Sequence, residues 1–169
     1  VNLEQDDWLL LARTRKLAKK LEEEVRQRGL LYAFSLSKDM NHQCVAAIQF
    51  WEALRRGESL SAKDVRFVYK YMILNKQILR GHKTLPDIPE DTLLNMEALK
   101  MNHGLLTDEP WTEALGAIPE NEVIYYKACM RRGEDLTKEP RIRISTIHSA
   151  KGAEATNVML VTDCPQRIT

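Results

Sequence analysis

The residues with the clearest capacity for chemistry lie in the stretch Thr146-Ile-His148-Ser149-Ala-Lys151-Gly152-Ala-Glu154. Its imidazole, ammonium and carboxylate groups can hold a charged ligand if the fold presents them together. The preceding residues 141–147 alternate apolar and polar types, which predicts a strand with one packed face. Gly152 then permits a turn. These polar side chains are therefore expected on a turn that leaves a strand, where open α/β sheets bind their ligands.

Other apolar runs predict the strands that accompany this one. Residues 8–13 and 30–35 flank a segment in which Leu17, Leu21 and Val25 recur at helical spacing, with Thr14 able to cap the helix. The opening of the chain is therefore typical of a strand–helix–strand unit. Residues 158–161 are apolar without alternation, which predicts a strand buried on both faces. The expected fold class is α/β, a small parallel sheet with strands near 8–13, 30–35, 141–147 and 158–162.

The middle of the chain has helical periodicity. Helices are predicted to start at Ser37 and Ser61, and shorter ones to cover 92–101, 111–115 and 121–132. The sheet should therefore be interrupted by an all-helical insertion. Aromatic side chains at helical spacing are usually core, although they could stack on nucleic-acid bases. They are Trp51, Tyr69, Tyr71, Trp111, Tyr125 and Tyr126.

The polar stretch resembles the fifth conserved motif of the UvrD/Rep/PcrA-type superfamily 1 DNA helicases in residue type and spacing. It departs at Ala153, where the family usually has Leu, and at Ala155, where it often has an aromatic residue. The resemblance implies a RecA-like, P-loop-NTPase-like sheet with a helical insertion. Residues 1–37 would form the first part of the second motor domain, 38–138 the inserted subdomain, and 139–169 the remainder, truncated before the sixth motif.

The resemblance also implies roles for individual residues. Those expected at the nucleotide are Lys151, Gly152, Glu154 and Arg13. Those expected at single-stranded DNA are Thr146, His148 and Ser149. Glu154 would accept hydrogen bonds from ribose hydroxyls. Arg13, at the carboxyl end of a strand, would either contact a phosphate or be a solvated arginine near a helix start.

The cofactor implied by the resemblance is ATP with Mg²⁺. The 169 residues contain neither GxxxxGK[ST] nor an acidic pair after a strand. No catalytic residue is therefore assigned within the chain, and the N-terminal motor domain of the same parent chain is expected to hold the metal. The other expected partners are single-stranded DNA and a duplex junction. The chain is interpreted as the C-terminal portion of an ATP-dependent DNA helicase; the alternative is a non-catalytic helicase-like interaction module.

Charge, cysteines and hydropathy restrict these alternatives. With 25 basic and 24 acidic residues, the whole chain has no net electrostatic field that attracts nucleic acid. Any phosphate contact must therefore come from local basic clusters, at 13–16, 19–20, 55–56 and 131–132. The alternative is that these clusters are solvated helix faces or ends. Cys44, Cys129 and Cys164 lie far apart, which favours reduced thiols in a cytoplasmic protein, and no metal site is expected. No apolar run approaches the about 20 residues that span a bilayer, so no membrane is expected as a partner.

Overall fold

The structure is a computed structural model of the 169-residue chain and describes residues 2–35 and 40–162, without the side chains of 40–42. The described part contains both helices and strands. In chain order they are β1 (Trp8–Ala12), α1 (Arg15–Gln27), β2 (Tyr32–Phe34), α2 (Met40–Arg55), β3 (Leu60–Ser61), α3 (Ala62–Tyr69), β4 (Leu93–Leu94), α4 (Met96–Asn102), α5 (Trp111–Ala114), α6 (Glu120–Arg131), β5 (Ile142–Thr146) and β6 (Asn157–Val161).

The four predicted strands form one parallel sheet in the order β2-β5-β1-β6. This confirms the predicted α/β class and the parallel sheet. Ala12 pairs with both Thr146 and Val161, so the carboxyl ends of β1, β5 and β6 are level with one another. The loops after these three strands therefore leave from a single edge.

Two compact units divide the chain. The first comprises Val1–Asp39 and Ile124–Thr169, and the second comprises Met40–Val123. The second unit ends earlier than the predicted 38–138 insertion, because the later part of α6 packs within the first unit. There the hydroxyl of Tyr125 donates to the carbonyl of Leu30 at 2.7 Å, and its ring centroid lies 6.1 Å from that of Tyr32.

The core of the first unit lies in the central strands β1 and β5, where Leu10 and Ile144 are fully buried. Helix α1 begins as predicted, with the Thr14 side chain accepting from the amide of Leu17 at 3.2 Å. The prediction that β6 is buried on both faces is wrong, since Val158 is 56% exposed and Leu160 is 53% exposed. Strand β6 is the last strand of the described sheet and pairs there only with β1.

The second unit contains helices α2 to α5 and the start of α6. In addition, it contains a two-stranded antiparallel sheet of β3 and β4. The expectation of an all-helical insertion is therefore wrong. The helix predicted over 92–101 begins only at Met96, capped by Asn95, because Leu93 and Leu94 pair with β3. Helix α3 has its predicted cap, with the Ser61 hydroxyl accepting from the amide of Asp64 at 3.2 Å.

Most of the singled-out aromatic residues are core residues, as predicted. Five of them are buried: Trp51, Tyr69, Trp111, Tyr125 and Tyr126. Tyr71 is half-buried, and its ring meets that of Phe67 edge-on with centroids 5.8 Å apart. These aromatic residues therefore stabilise the two units from within and offer little ring surface for base stacking.

Both described cysteines are buried free thiols, and burial raises the pKa of Cys44 and raises that of Cys129 to about 11. Ser37, the predicted helix cap, and Cys164 lie outside the described residues. None of the helices in the described part is long and apolar enough to cross a membrane.

Candidate functional site

The connections from β1 and β5 leave the same edge of the sheet in opposite directions. The chain passes from β1 beyond β5 to reach β2, and from β5 beyond β1 to reach β6. Where neighbouring parallel strands send their connections in opposite directions, a crevice opens outside their carboxyl ends. The loops after Ala12 and Thr146 border this crevice, and they carry Arg13 and the polar stretch of residues 146–154.

The loop after β5 is fixed by backbone hydrogen bonds. The amide of Ile147 donates to the carbonyl of Ala12 at 3.0 Å, which prolongs the β1–β5 ladder by one step. The carbonyl of Thr146 then accepts from the amides of Ser149, at 3.1 Å, and Ala150, at 3.0 Å. The loop is therefore a tight turn closed directly on the end of the strand.

Thr146 supports this turn with its side chain. It is only 6% exposed, and its hydroxyl donates to the Ser149 hydroxyl oxygen at 3.1 Å. The hydroxyl of Thr146, which was predicted to face DNA, is thus bonded within the protein. Thr146 instead positions the exposed residues that follow it. His148 and Ser149 are exposed on the turn, where a ligand can reach them.

Two hydroxyl groups beside this turn were not predicted from the sequence. The Ser35 hydroxyl, at the end of β2, donates to the Ser145 hydroxyl oxygen at 2.7 Å, and the Ser145 hydroxyl donates to the carbonyl of Thr146 at 3.2 Å. Ser145 is buried. The polar position of Ser145 in the strand alternation was a signal, but nothing in the sequence pairs it with Ser35. These bonds join β2 to the turn and stiffen the edge.

The residues predicted at the nucleotide do not all lie at this edge. Arg13 directly follows β1, and Lys151 and Gly152 end the turn after β5; all three are exposed. Gly152 has a φ of +84°, the left-handed conformation that a turn at this glycine requires. Arg13, His148, Ser149 and Lys151 therefore form an exposed polar set along two neighbouring loops.

The backbone of Glu154 is held closer to the edge of the sheet where the strands begin. Its carbonyl accepts from the Arg143 guanidinium, and the same nitrogen of Arg143 lies 3.7 Å from the carboxylate of Asp7, just before β1. The amide of Thr156 donates to the Asp7 carboxylate at 3.2 Å. The chain has thus returned to the amino ends of the strands by residue 156. Glu154 is exposed on this return path, and its backbone is held away from the carboxyl edge.

The basic clusters differ in how far their charges are balanced. Arg55 pairs with Glu52 at 2.7 Å, Arg56 with Glu58 at 3.0 Å, and Arg132 with Glu4 at 3.0 Å. These ion pairs favour the interpretation of those clusters as solvated helix ends. The cations after β1 are all exposed: Arg13, Arg15, Lys16, Lys19 and Lys20.

No group of three or more His, Cys, Asp or Glu side chains in the described ranges is arranged to hold a metal ion. The arrangement at the carboxyl edge instead suits an anion that contacts cations and hydroxyl groups on two loops. No family model, curated protein or solved structure matches the chain.

Proposed function

We propose that the chain is part of the second motor domain of an ATP-dependent DNA helicase of the UvrD/Rep/PcrA type, acting in the cytoplasm. One observation carries the proposal. The motif-like turn leaves β5 at the carboxyl edge of a parallel sheet, next to the loop with Arg13, where the two connections diverge. A RecA-like sheet would present residues to a nucleotide at such a point.

The proposed roles follow the exposure of the side chains. Lys151 and Arg13 are exposed cations that fit the negative charge of a nucleotide's phosphates, and Gly152 leaves the backbone open to a ligand. When bound, ATP supplies the free energy of phosphoryl transfer. Its Mg²⁺ would be held by the N-terminal motor domain. His148 and Ser149 would contact single-stranded DNA.

In the proposed site, the Glu154 carboxylate would accept hydrogen bonds from the ribose hydroxyls, and its substitution tests this role. In the parent protein, Glu154→Ala removes the carboxylate but keeps the carbonyl that Arg143 binds. A hydrogen bond between the carboxylate and a ribose hydroxyl contributes roughly 1.5–3 kcal/mol to binding, so its loss should lower nucleotide affinity about tenfold to a hundredfold. The melting temperature should stay unchanged, because the side chain is exposed.

His148→Ala should instead weaken binding of single-stranded DNA and leave nucleotide affinity without DNA unchanged. Glu139→Ala, at an exposed carboxylate, is the matched surface control for Glu154→Ala. Each variant is titrated with nucleotide and with a single-stranded oligonucleotide. If Glu154→Ala binds nucleotide normally but melts several degrees lower, the residue is structural and its proposed role is wrong.

The alternative, a non-catalytic interaction module, is favoured by one observation. Val158 and Leu160 present a half-exposed apolar pair on β6, the last strand of the described sheet, and such a surface suits contact with another protein. The same titrations separate the two proposals. A module without a motor would bind no nucleotide in the wild-type parent protein.

A further inference from the structure

A groove of about 450 Å³ lies between helices α2 and α3 of the second unit. Its walls are apolar: Ala46 and Phe50 lie one turn apart on α2, and Phe67 lies on α3. All three residues are half-buried. The groove has the size and the apolar walls that are usual for binding pockets, and it belongs wholly to the second unit.

The aromatic rings of the groove meet edge to face. The centroids of Phe50 and Phe67 are 6.2 Å apart, and the angle between the ring planes is 89°. Tyr71 meets Phe67 in a similar way, at 5.8 Å and 76°. The Lys70 ammonium lies over the Phe67 ring, 5.8 Å from its centroid. Perpendicular rings form the corner of a recess, which suits an inserted apolar side chain better than a flat base.

The end of the groove where α3 begins carries a negative charge. Asp64 lines this end in the first turn of α3, and its carboxylate accepts from the Ser61 hydroxyl at 2.8 Å. Glu90 also lines the groove here, since its carbonyl accepts from the amide of Lys63 at 3.2 Å. Two carboxylates and the one ammonium group of Lys63 leave a single net negative charge at this end.

The end of the groove where α3 finishes is positive. Lys70 is exposed directly after α3. The Arg66 guanidinium is fixed beside the groove, because it donates to the carbonyls of Thr84, at 2.7 Å, and Leu85, at 3.0 Å. Residues 65–86 contain no carboxylate. The groove therefore has charges of opposite sign at its two ends and an aromatic corner in its wall.

This order of charges determines which class of ligand fits. The backbone of a nucleic acid is uniformly negative, so one end of the groove would attract it and the other would repel it. A peptide can carry a cation and a carboxylate on either side of an apolar side chain. The seven residues from Lys63 to Lys70 rise about 10.5 Å along a helix, a distance that about three residues of extended chain span.

We propose that the groove between α2 and α3 binds a short segment of another protein, in which an aromatic or leucine side chain lies between a basic and an acidic residue. The apolar side chain enters the recess between Phe50 and Phe67. The carboxylate of the segment pairs with Lys70, and its basic side chain faces Asp64 and Glu90. The inference goes beyond the proposed function and does not depend on it, because neither nucleotide nor DNA takes part.

The test begins with a library of random peptides displayed on phage and selected on the parent protein. Enriched peptides should share an apolar residue between a basic and an acidic one, about three positions apart. One enriched peptide is then synthesised with a fluorescein label and titrated by anisotropy. A peptide with its basic and acidic residues exchanged should bind about tenfold more weakly, because like charges then meet at both ends of the groove.

A charge reversal in the groove tests the pairing directly. Lys70→Glu should weaken binding of the enriched peptide by about tenfold. A peptide in which lysine replaces the acidic residue should bind this variant more tightly than it binds the wild type, a rescue that a purely structural role of Lys70 would not produce. Lys76→Glu makes the same change of charge at an exposed position outside the groove and should bind like the wild type.

The aromatic corner is tested by Phe67→Ala, which should weaken peptide binding by about thirtyfold, as expected for an anchoring contact. Thermal melting checks that the variant is folded, because Phe67 also packs against Phe50 and Tyr71. If the alanine variant unfolds, Phe67→Leu takes its place, and a severalfold loss of affinity is expected.

Three results would overturn the inference. In the first, the selection enriches no peptide with the expected order of residues. In the second, the Lys70→Glu variant and the folded Phe67 variant bind the enriched peptide as tightly as the wild type. In the third, these variants lose affinity for an oligonucleotide while peptide binding is unchanged, which assigns the groove to nucleic acid. The proposed function is tested separately, by nucleotide and DNA titrations of Glu154 and His148 variants.

Discussion

The buried side chain of Gln77 bonds to three backbone groups of the second unit. Two of those groups, in Glu113 and Gly116, lie 36 and 39 residues further along the chain. The side chain therefore joins the turn of residues 74–80 to the segment around the end of α5. A single buried amide thus links two parts of the second unit that are distant in sequence.

Replacing Gln77 with Leu should lower the stability of the chain substantially. Leucine is similar in size, but it cannot bond to the amides of Ile73 and Gly116 or to the carbonyl of Glu113. Each of these three hydrogen bonds contributes about 0.5–1.5 kcal/mol net, so a total loss of roughly 1.5–4.5 kcal/mol is expected in urea unfolding. Gln27→Leu, at an exposed position in α1, is the control. Equal midpoints for the two variants would show that Gln77 is not a structural link.

The distance between partners in the sequence decides which of these residues could be predicted. Thr14 and Ser61 are predictable as helix caps because the amide that each side chain accepts from lies only three residues later in the sequence. Ser35 bonds to Ser145, 110 residues away, and no local pattern indicates such a pair. In the candidate site, the exposed residues of the motif-like stretch were predicted, whereas the hydroxyl groups that support them depend on the folded sheet.

The amino ends of three neighbouring strands, β5, β1 and β6, meet around Asp7. Its carboxylate accepts from the amide of Thr156, which precedes β6, and lies near Arg143 of β5. The hydrogen bonds from Thr156 are the main reason why the pKa of Asp7 falls below its ordinary value of 3.8, and the charge of Arg143 adds to the effect. The carboxylate thus stabilises the start of the edge strand while it is ionised.

Asp7→Asn should therefore reduce stability in a manner that depends on pH. A carboxyl group with a lowered folded-state pKa stabilises the fold above its unfolded-state pKa, and this stabilisation is lost as the pH falls through the folded-state pKa. The difference in urea midpoint between wild type and variant should be present near pH 7 and disappear as the pH falls through the lowered folded-state pKa of Asp7, which lies below 3.8. Glu139→Gln controls for the loss of one negative charge. A difference that grows on acidification would contradict this role of Asp7.

Strand positions were predictable, but strand neighbours were not. Apolar runs predicted all four strands of the parallel sheet within a few residues, because the side-chain pattern follows the pleat. The exposure of Val158 and Leu160 depends instead on what lies beside β6 in space. The strands β3 and β4 have two residues each, which is too short for any alternation, and they lie far apart in the sequence. Their pairing is therefore a property of the folded unit.

The parallel sheet is assembled from segments that lie on either side of the second unit in the sequence. Strands β1 and β2 come from its first residues and β5 and β6 from its last, while the second unit occupies the sequence between them. The polar turn after β5 can therefore lie beside Arg13 only once the two ends have met. The candidate site is a product of this long-range pairing, and both of its loops belong to the first unit.

The proposed function predicts that this chain alone hydrolyses no ATP above background, with or without single-stranded DNA. Phosphoryl transfer depends on positioning the phosphates and stabilising their charge, and the sequence has no GxxxxGK[ST] loop to do so. Lys151 and Arg13 would contribute to a nucleotide site completed by another motor domain. Phosphate release by the purified 169-residue chain is compared with release by the parent protein, and Lys138→Ala serves as the surface control in both. Sustained ATP turnover by the chain alone, abolished by Lys151→Ala but not by Lys138→Ala, would show that a complete active site lies within these residues. The proposal that another motor domain completes the nucleotide site would then be wrong.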